Sequence, residues 1–382
     1  MRALVVSKWV PVPDNDGGKQ RTLAVVSRLA RHADVVLCAY DDGSADPGPL
    51  ERLGIEVRSV PWRPTPGQVV AGIARTRSVT AGRFYDPALR AAVLAAAAEA
   101  PLDALQVEYL QMAPVAAGVA ATTRVIDLHN VESALVRSYG RTGPLSPATV
   151  AARAEARALA ALERAVLPSF DTVVVVSERE RGRLPVGLSD VIVCPNGRDA
   201  DPAGPPPPPS TPVAVFVATM GWAPNVDAAL WLGREVWPRV LARCPHAHLL
   251  LVGREPARSV RGLASSSVEV SGTVDDVRPY LARARVAVAP LRSGGGTRLK
   301  ILEALDAGRP VVATSIAVDG LEDLVGRGVV VADDASSMAE ALVTLLDDGT
   351  AASALGARGH DAVVAEHSWD AALAPLLQLM AS

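Results

Sequence analysis

The sequence predicts an α/β protein built as two doubly wound halves, each a parallel sheet with helices on both faces. Three observations carry this. Short apolar runs rich in β-branched residues alternate with longer segments of helical period, the pattern of strands buried on both faces. The alternation runs through the first 198 residues and restarts at residue 213. Between the two runs stands "DADPAGPPPPPSTP" (199–212), whose five consecutive prolines cannot donate backbone hydrogen bonds and favour polyproline II.

In the first half, "RALVVS" (2–7) reads as a buried strand. "GGKQRTLAVVSRLARHA" follows, with Leu23, Val26, Leu29 and Ala30 at helical spacing. "DVVLCAY" (34–40), "ALQVEYL" (104–110), "TRVIDLHN" (123–130) and "DTVVVVSE" (171–178) are the next strands, and the pattern pauses at "DVIVCPNG" (190–197). The proline segment reads as a semi-rigid connector. In the second half, strands fall at 213–219, 247–253, 284–291, 310–314 and 328–333. The helix "TRLKILEALDAG" ends at Gly308. The expected domains are 1–198 and 213–364, with an amphipathic tail, 365–382, packing back on the first half.

Composition narrows the class. Of 382 residues, 49% are hydrophobic and 21% charged, which fits a folded α/β chain and excludes a disordered one. The net charge of −3 lacks the basic excess of a nucleic-acid binder. Cys38, Cys194 and Cys244 are far apart and odd in number, so neither a zinc site nor a disulfide framework is implied. "MRALVVSKWVPVPD" is broken by Lys8, Pro11 and Pro13 and reads as a strand, not a signal peptide. No apolar stretch approaches the ~20 residues that span a bilayer. The expected location is the cytoplasm, with the inner face of a membrane open as a contact surface.

In open parallel sheets, ligands bind beyond the carboxyl ends of strands. The most informative such loop is "APLRSGGGTRLK", which follows the strand 284–291 and opens a helix. Backbone N–H groups and a positive helix end are placed there, and glycines allow close approach. Arg298 and Lys300 suit a diphosphate. A Walker A loop would need Ser or Thr after Lys300, where Ile301 stands, and a GxGxxG fingerprint would need glycine at Leu299. A phosphate loop is therefore predicted, for neither an NTPase nor NAD. Glu303 is three residues past Lys300, the spacing of an ordinary surface ion pair.

The stretch 290–314 resembles the donor-site segment of GT-B glycosyltransferases of family 4. It shares a strand ending in Pro, a glycine-rich turn, "LKILEALDAGRPVVAT" and a second small-residue loop, "SIAVDGLED". The resemblance implies two Rossmann-like domains facing a cleft, the GT-B fold. In that family the helix carries two glutamates eight apart. The second matches Glu303 and binds the ribose hydroxyls; position 295 is Gly, as in the family's GGGTRLK variant, where backbone amides take over. Gly294, Gly295, Gly296 and Thr297 would then contact the donor, and Arg298 and Lys300 would meet its diphosphate.

Other landmarks extend the resemblance along nearly the whole chain. Gly17 and Gly18 fall in the family's GG loop, near the donor phosphates. Asp14 and Asp16 spell DxD but read as turn chemistry rather than as metal ligands. His129 ends a strand where the family places a histidine against the donor sugar. Glu108, Tyr109 and Glu132 fall on the acceptor side, with Gln111 nearby. In the second half Gly221 faces the phosphates, while the usual lysine of that loop is replaced by Trp222, Pro224 and Asn225. Arg254 falls near the diphosphate or base, and Val274 is the base contact. Asp275 also reads as a helix N-cap.

The resemblance implies a retaining transfer from a nucleotide diphosphate-sugar, UDP- or GDP-linked, to a hydroxyl acceptor, with neither cofactor nor metal. Three rivals stay open on the sequence. These are a nucleotide-sugar epimerase, a non-catalytic nucleotide-binding module, and a membrane-surface role for "GIARTRSVTAGRFYDPALR" (72–90) with Arg75, Arg77, Arg83 and Arg90.

Overall fold

The computed structural model describes residues 1–382 except 140–146, 189, 295–298 and 382. The chain divides into two compact units. The first comprises Met1–Pro195 with Ala372–Ser382, the second Asn196–Ala371.

The first unit is built on seven parallel strands: β1 (Arg2–Trp9), β2 (Asp34–Asp41), β3 (Glu56–Pro61), β4 (Ala104–Glu108), β5 (Thr123–Leu128), β6 (Thr172–Val175) and β7 (Val191–Val193). Their order is β3-β2-β1-β4-β5-β6-β7. Register follows from burial on both faces: Val5 pairs with Leu37 on one side and Gln106 on the other. Leu4, Val6, Leu105, Val107 and Ile126 are fully buried. The order reverses between β1 and β4, and the loops leaving those two strands open onto the switch point.

The second unit repeats the plan with β8 (Val213–Val217), β9 (His248–Val252), β10 (Val268–Gly272), β11 (Val286–Ala289), β12 (Val311–Ala313) and β13 (Val329–Val331). All are parallel, in the order β10-β9-β8-β11-β12-β13. The switch point here lies between β8 and β11.

The boundary falls at Pro195, and the proline segment belongs to the second unit rather than joining two units as a connector. Arg309, 2% exposed, explains this. Its Nη2 donates to the carbonyls of Pro206 and Pro207, each at 3.0 Å, and its Nε to Leu281 O at 3.0 Å. Arg285 donates to the Ser210 and Leu346 carbonyls. Prolines lack N–H groups but keep good acceptor carbonyls, and two arginines use them to hold the strap against the sheet. The last helix runs Trp369–Ala381, and its residues from Ala372 onward group with the first unit.

Cys38, Cys194 and Cys244 are buried free thiols. Among the described residues no helix is long and apolar enough to cross a membrane.

Candidate functional site

Chemistry-bearing residues gather at the switch point of each sheet. In the first unit they sit where β1, β4 and β5 end. The helix Gly17–Leu29 starts beside them, capped by Asp16, whose Oδ1 accepts from Lys19 N at 2.9 Å. Asp16 is thus engaged as a cap, and Gly17 is the first helical residue. β4 ends on Glu108, and Tyr109 then takes φ 73°, a left-handed conformation unusual for a bulky residue. That turn lays the Tyr109 ring on the His129 imidazole, with centroids 3.8 Å apart and planes at 25°. The tyrosine hydroxyl lies where a side chain at residue 18 would be: a Cβ on Gly18 would come within 2.1 Å of it. Gly18 is therefore glycine because Tyr109 occupies its side-chain space.

Beneath the stack is a buried polar network. His129 Nε2 and Glu108 Oε2 are 2.7 Å apart, and Gln106 Nε2 donates to Glu108 Oε1 at 2.9 Å. Asp127 holds Arg21 through Nε at 2.9 Å and Nη2 at 2.8 Å, and Arg21 Nη1 donates to Pro195 O at 3.1 Å. Glu108 and Asp127 are fully buried, and Arg21 is 1% exposed. Burial lowers the His129 imidazole to about 3 against the pull of Asp127, and raises the Glu108 carboxyl against Gln106 and Arg21. Both are driven towards their neutral forms, sharing one proton across 2.7 Å. Burial also raises Asp127, but Arg21, which cannot deprotonate, keeps a cation on it.

Glu108, Asp127 and His129 bring three ligand-type atoms within 4.8 Å of one another. A divalent cation there would have to compete with the Arg21 guanidinium for Asp127. The donor set fits a neutral hydrogen-bonded dyad beside an ion pair better than a metal cage.

Glu132 opens the helix Glu132–Tyr139, hydrogen-bonds to Gln111 and is raised by burial, with Lys8 pulling it down. Lys8, Arg21 and Asp127 were not singled out from the sequence. The chain's lysines are Lys8, Lys19 and Lys300, against 38 cationic residues in all, so a lysine was a rarer choice than it looked.

In the 72–90 segment Arg75, Arg83 and Arg90 make side-chain contacts, and Arg77 is exposed. Arg90 Nη1 donates to the carbonyls of Val115 at 3.0 Å and Ala117 at 2.9 Å. Arg75 lies over the Tyr85 ring and Arg83 over the Trp62 ring, while Arg77 caps a helix with φ 57°.

In the second unit, the helix Ala223–Trp231 that follows β8 brings Asn225, 4% exposed, beside the helix Leu299–Asp306. Its Nδ2 donates to Thr219 O at 2.9 Å, and its Oδ1 accepts from Lys300 Nζ at 3.2 Å. The Lys300 ammonium also lies 4.8 Å above the Phe216 ring. Asn225, in the first turn of the helix Ala223–Trp231, thus positions Lys300 in the first turn of the helix Leu299–Asp306. Gly221 packs on Glu255, whose carbonyl a Cβ would approach to 2.9 Å. Gly253 has φ 143°, and a Cβ there would sit 1.8 Å from Ala218 O. The 253–254 turn thus closes tightly on the β8 loop, where Met220 N donates to Arg254 O at 2.9 Å. Gly294 has φ 115°. Gly295, Gly296, Thr297 and Arg298 lie outside the described residues.

Glu303 is about a fifth exposed, 4.0 Å from Arg198 Nη1. Arg198 Nε holds Asp306 Oδ2 at 3.0 Å. Burial raises the Glu303 carboxyl, and Arg198 opposes it. Arg198 belongs to this unit and was missed because it stands more than a hundred residues before its partners. Val274 lines an open hollow with Thr273, Asp276 and Tyr280 beyond the end of β10.

Residues 16–197 match the family described as glycosyl transferase 4-like domain, and residues 211–348 match glycosyl transferases group 1. A GDP-mannose-dependent monoacylated alpha-(1-6)-phosphatidylinositol monomannoside mannosyltransferase of Corynebacterium glutamicum is 34% identical over 151 residues, 36% of this chain and 39% of that protein. A phosphatidyl-myo-inositol mannosyltransferase of Mycolicibacterium smegmatis is 28% identical over 196 residues, 44% of this chain and 50% of that protein. The chain thus spans half or less of the length of these curated relatives. The fold is like that of sucrose-phosphate synthase from Thermosynechococcus elongatus, with TM-score 0.74 at 19% identity over 99% of this chain and 98% of that one. It is also like Anabaena HepE, solved with UDP and glucose, with TM-score 0.66 at 15% identity over the full length of both chains. With two Rossmann-like α/β domains of the GT-B type and both family signatures in order along the sequence, the chain belongs to the group 1 glycosyltransferases of family 4.

Proposed function

We propose that this chain moves a sugar from a nucleotide diphosphate-sugar to a hydroxyl acceptor with retention of anomeric configuration and without a bound metal. The observation that carries this reading is Lys300, oriented by Asn225 at the switch point of the second sheet, one residue into the helix that follows β11. Transfer places growing negative charge on the departing diphosphate, and a fixed ammonium beside a glycine turn is suited to meet it. By sequence, Arg298 and the amides of residues 294–297 complete that cradle. The cations are then the protein's own. Gly295 leaves no carboxylate for a covalent glycosyl intermediate there, which favours attack on the face the diphosphate leaves, with a diphosphate oxygen taking the acceptor proton.

Glu303 is assigned to the ribose hydroxyls and Val274 to the base. Glu108, Tyr109, His129 and Glu132 are assigned to the acceptor and sugar. GDP-mannose is the first donor to test, because one relative's name specifies it, and UDP-glucose the second. A thermal-shift screen of both, followed by NMR of the product's anomeric proton, tests the reading. Neither donor raising the melting temperature, or a product of inverted configuration, would overturn it.

A further inference from the structure

Lys8 stands at the carboxyl end of β1, beside the switch point, and is half-buried. Its Nζ is ringed by aromatic faces: 4.4 Å from the Phe84 centroid, 5.5 Å from Tyr109 and 5.9 Å from Trp9. Phe84 and Trp9 belong to a larger cluster, with Trp62 stacked on Phe84 at 5.7 Å and edge-on to Trp9 at 5.0 Å. Rings attract a cation but accept no strong hydrogen bond, and an ammonium has three N–H groups to satisfy. No described residue accepts a hydrogen bond from Lys8 Nζ.

The charged groups that face it are Glu132, Asp16 and Arg83. Glu132 hydrogen-bonds to Gln111 and burial holds it towards its protonated form, while Asp16 Oδ1 caps a helix. Burial also lowers the Lys8 ammonium itself. The other lysines differ: Lys19 is paired with Asp42 at 2.8 Å, and Lys300 with Asn225. Lys8 is thus an ammonium in an aromatic collar, beside the Tyr109–His129 stack.

We propose that Lys8 is an anion subsite for the acceptor, so that the hydroxyl compound this protein glycosylates carries a phosphate or carboxylate group, which Lys8 binds while the partly exposed ring of Trp9 flanks the rest of the molecule. The acceptor assignment rests on the transfer reading above; the anion preference of Lys8 does not. A lysine kept only for packing would be replaced by methionine without changing ligand choice.

The test uses the full chain and three probes: inositol, inositol 1-phosphate and glucuronate. Binding is measured by calorimetry to the wild type and to Lys8→Met and Lys8→Arg variants, with GDP and UDP as separate ligands. Reductive ¹³C-methylation gives one NMR signal for each of three lysines, and the Lys8 signal reports contact directly. The expected result is at least tenfold tighter binding of one or both anionic probes over inositol, a shift of the Lys8 signal with the Lys19 signal still, loss of the preference in Lys8→Met, and its retention in Lys8→Arg. Which anionic probe wins distinguishes phosphate from carboxylate. No anion preference in the wild type, or a preference that survives in Lys8→Met, overturns the proposal. Absence of nucleotide binding and sugar transfer in the wild type would instead remove the transfer reading and leave the Lys8 measurement standing.

Discussion

Asn225 Oδ1 accepts a hydrogen bond from Lys300 Nζ at 3.2 Å, tying the helix after β8 to the helix after β11 across the reversal in strand order. The two residues then act as one unit, because the amide holds the ammonium where a diphosphate is expected. Lys300→Ala lowers kcat/KM at least tenfold, about 1.4 kcal/mol of transition-state stabilisation. Asn225→Ala lowers it by about threefold, and the double variant is no worse than Lys300→Ala alone. Steady-state kinetics on the four proteins check this, and fully additive losses would mean that Asn225 does not act through Lys300.

Glu303 gives a pH dependence whose sign is fixed. Burial raises its carboxyl above the ordinary glutamate range, and Arg198 at 4.0 Å is the largest opposing influence. Only the carboxylate accepts hydrogen bonds from two ribose hydroxyls. Nucleotide affinity is therefore highest above the raised value and falls as pH drops through it. In Arg198→Gln the fall begins at higher pH. Calorimetry with GDP or UDP between pH 5 and 8 reads the effect; identical profiles in the two proteins would detach Arg198 from Glu303.

Much of this was legible in the sequence, and the misses share causes. The strands read from sequence include every central strand, because burial on both faces leaves an unbroken apolar run, as in β1 and β9. The three that escaped, β3, β7 and β10, all lie at sheet edges. β3 reads "EVRSVP" and is mostly exposed or half-exposed, so it has no run to detect. The glycine loop and Glu303 were visible as local patterns. Arg21 with Asp127, and Arg198 with Asp306, were not, because each pair joins residues more than a hundred positions apart and neither partner alone departs from an ordinary helix or strand residue. The proline segment misled for a different reason: its stiffness was readable, but Arg309, which holds it to the second unit, lies a hundred residues downstream.

Gly18 and Tyr109 make a steric pair. A Cβ at residue 18 would lie 2.1 Å from the tyrosine hydroxyl and 3.3 Å from its Cζ, so Gly18→Ala must push the ring off His129. The expected cost is about 1–3 kcal/mol, in the range of overpacked cores. Tyr109→Phe removes the nearest atom, and the double variant recovers part of the loss. Chemical denaturation of the four proteins measures it, and a Gly18→Ala variant as stable as the wild type would mean that Tyr109 is not locked in place.

His129 contributes to stability in a defined window. Its imidazole titrates near 3 in the fold against 6.5 in the open chain, so the unfolded state binds the extra proton between those values. That contribution is complete above pH 6.5 and is lost as pH falls towards 3. Glu108, raised by burial, acts in the opposite sense and softens the decline. His129→Gln removes the imidazole's share. Its urea midpoint therefore changes less between pH 7 and pH 4.5 than that of the wild type, and an equal change would place the titrating group elsewhere.

Arg309 is expected to be the most costly single substitution outside the switch points. It is 2% exposed, and its guanidinium serves the Leu281, Pro206 and Pro207 carbonyls at once. Those acceptors have no substitute donor in a proline run, whose own residues lack N–H groups. Arg309→Ala leaves a cavity and unsatisfied carbonyls, a loss of about 3 kcal/mol or more. Arg309→Lys keeps the charge but not the planar fork that reaches several carbonyls together, so it recovers only a part. Limited proteolysis adds a local readout, because a released strap exposes 199–212 to cleavage. A variant that resists proteolysis like the wild type, with an unchanged melting temperature, would mean that Arg309 is not what holds the proline segment.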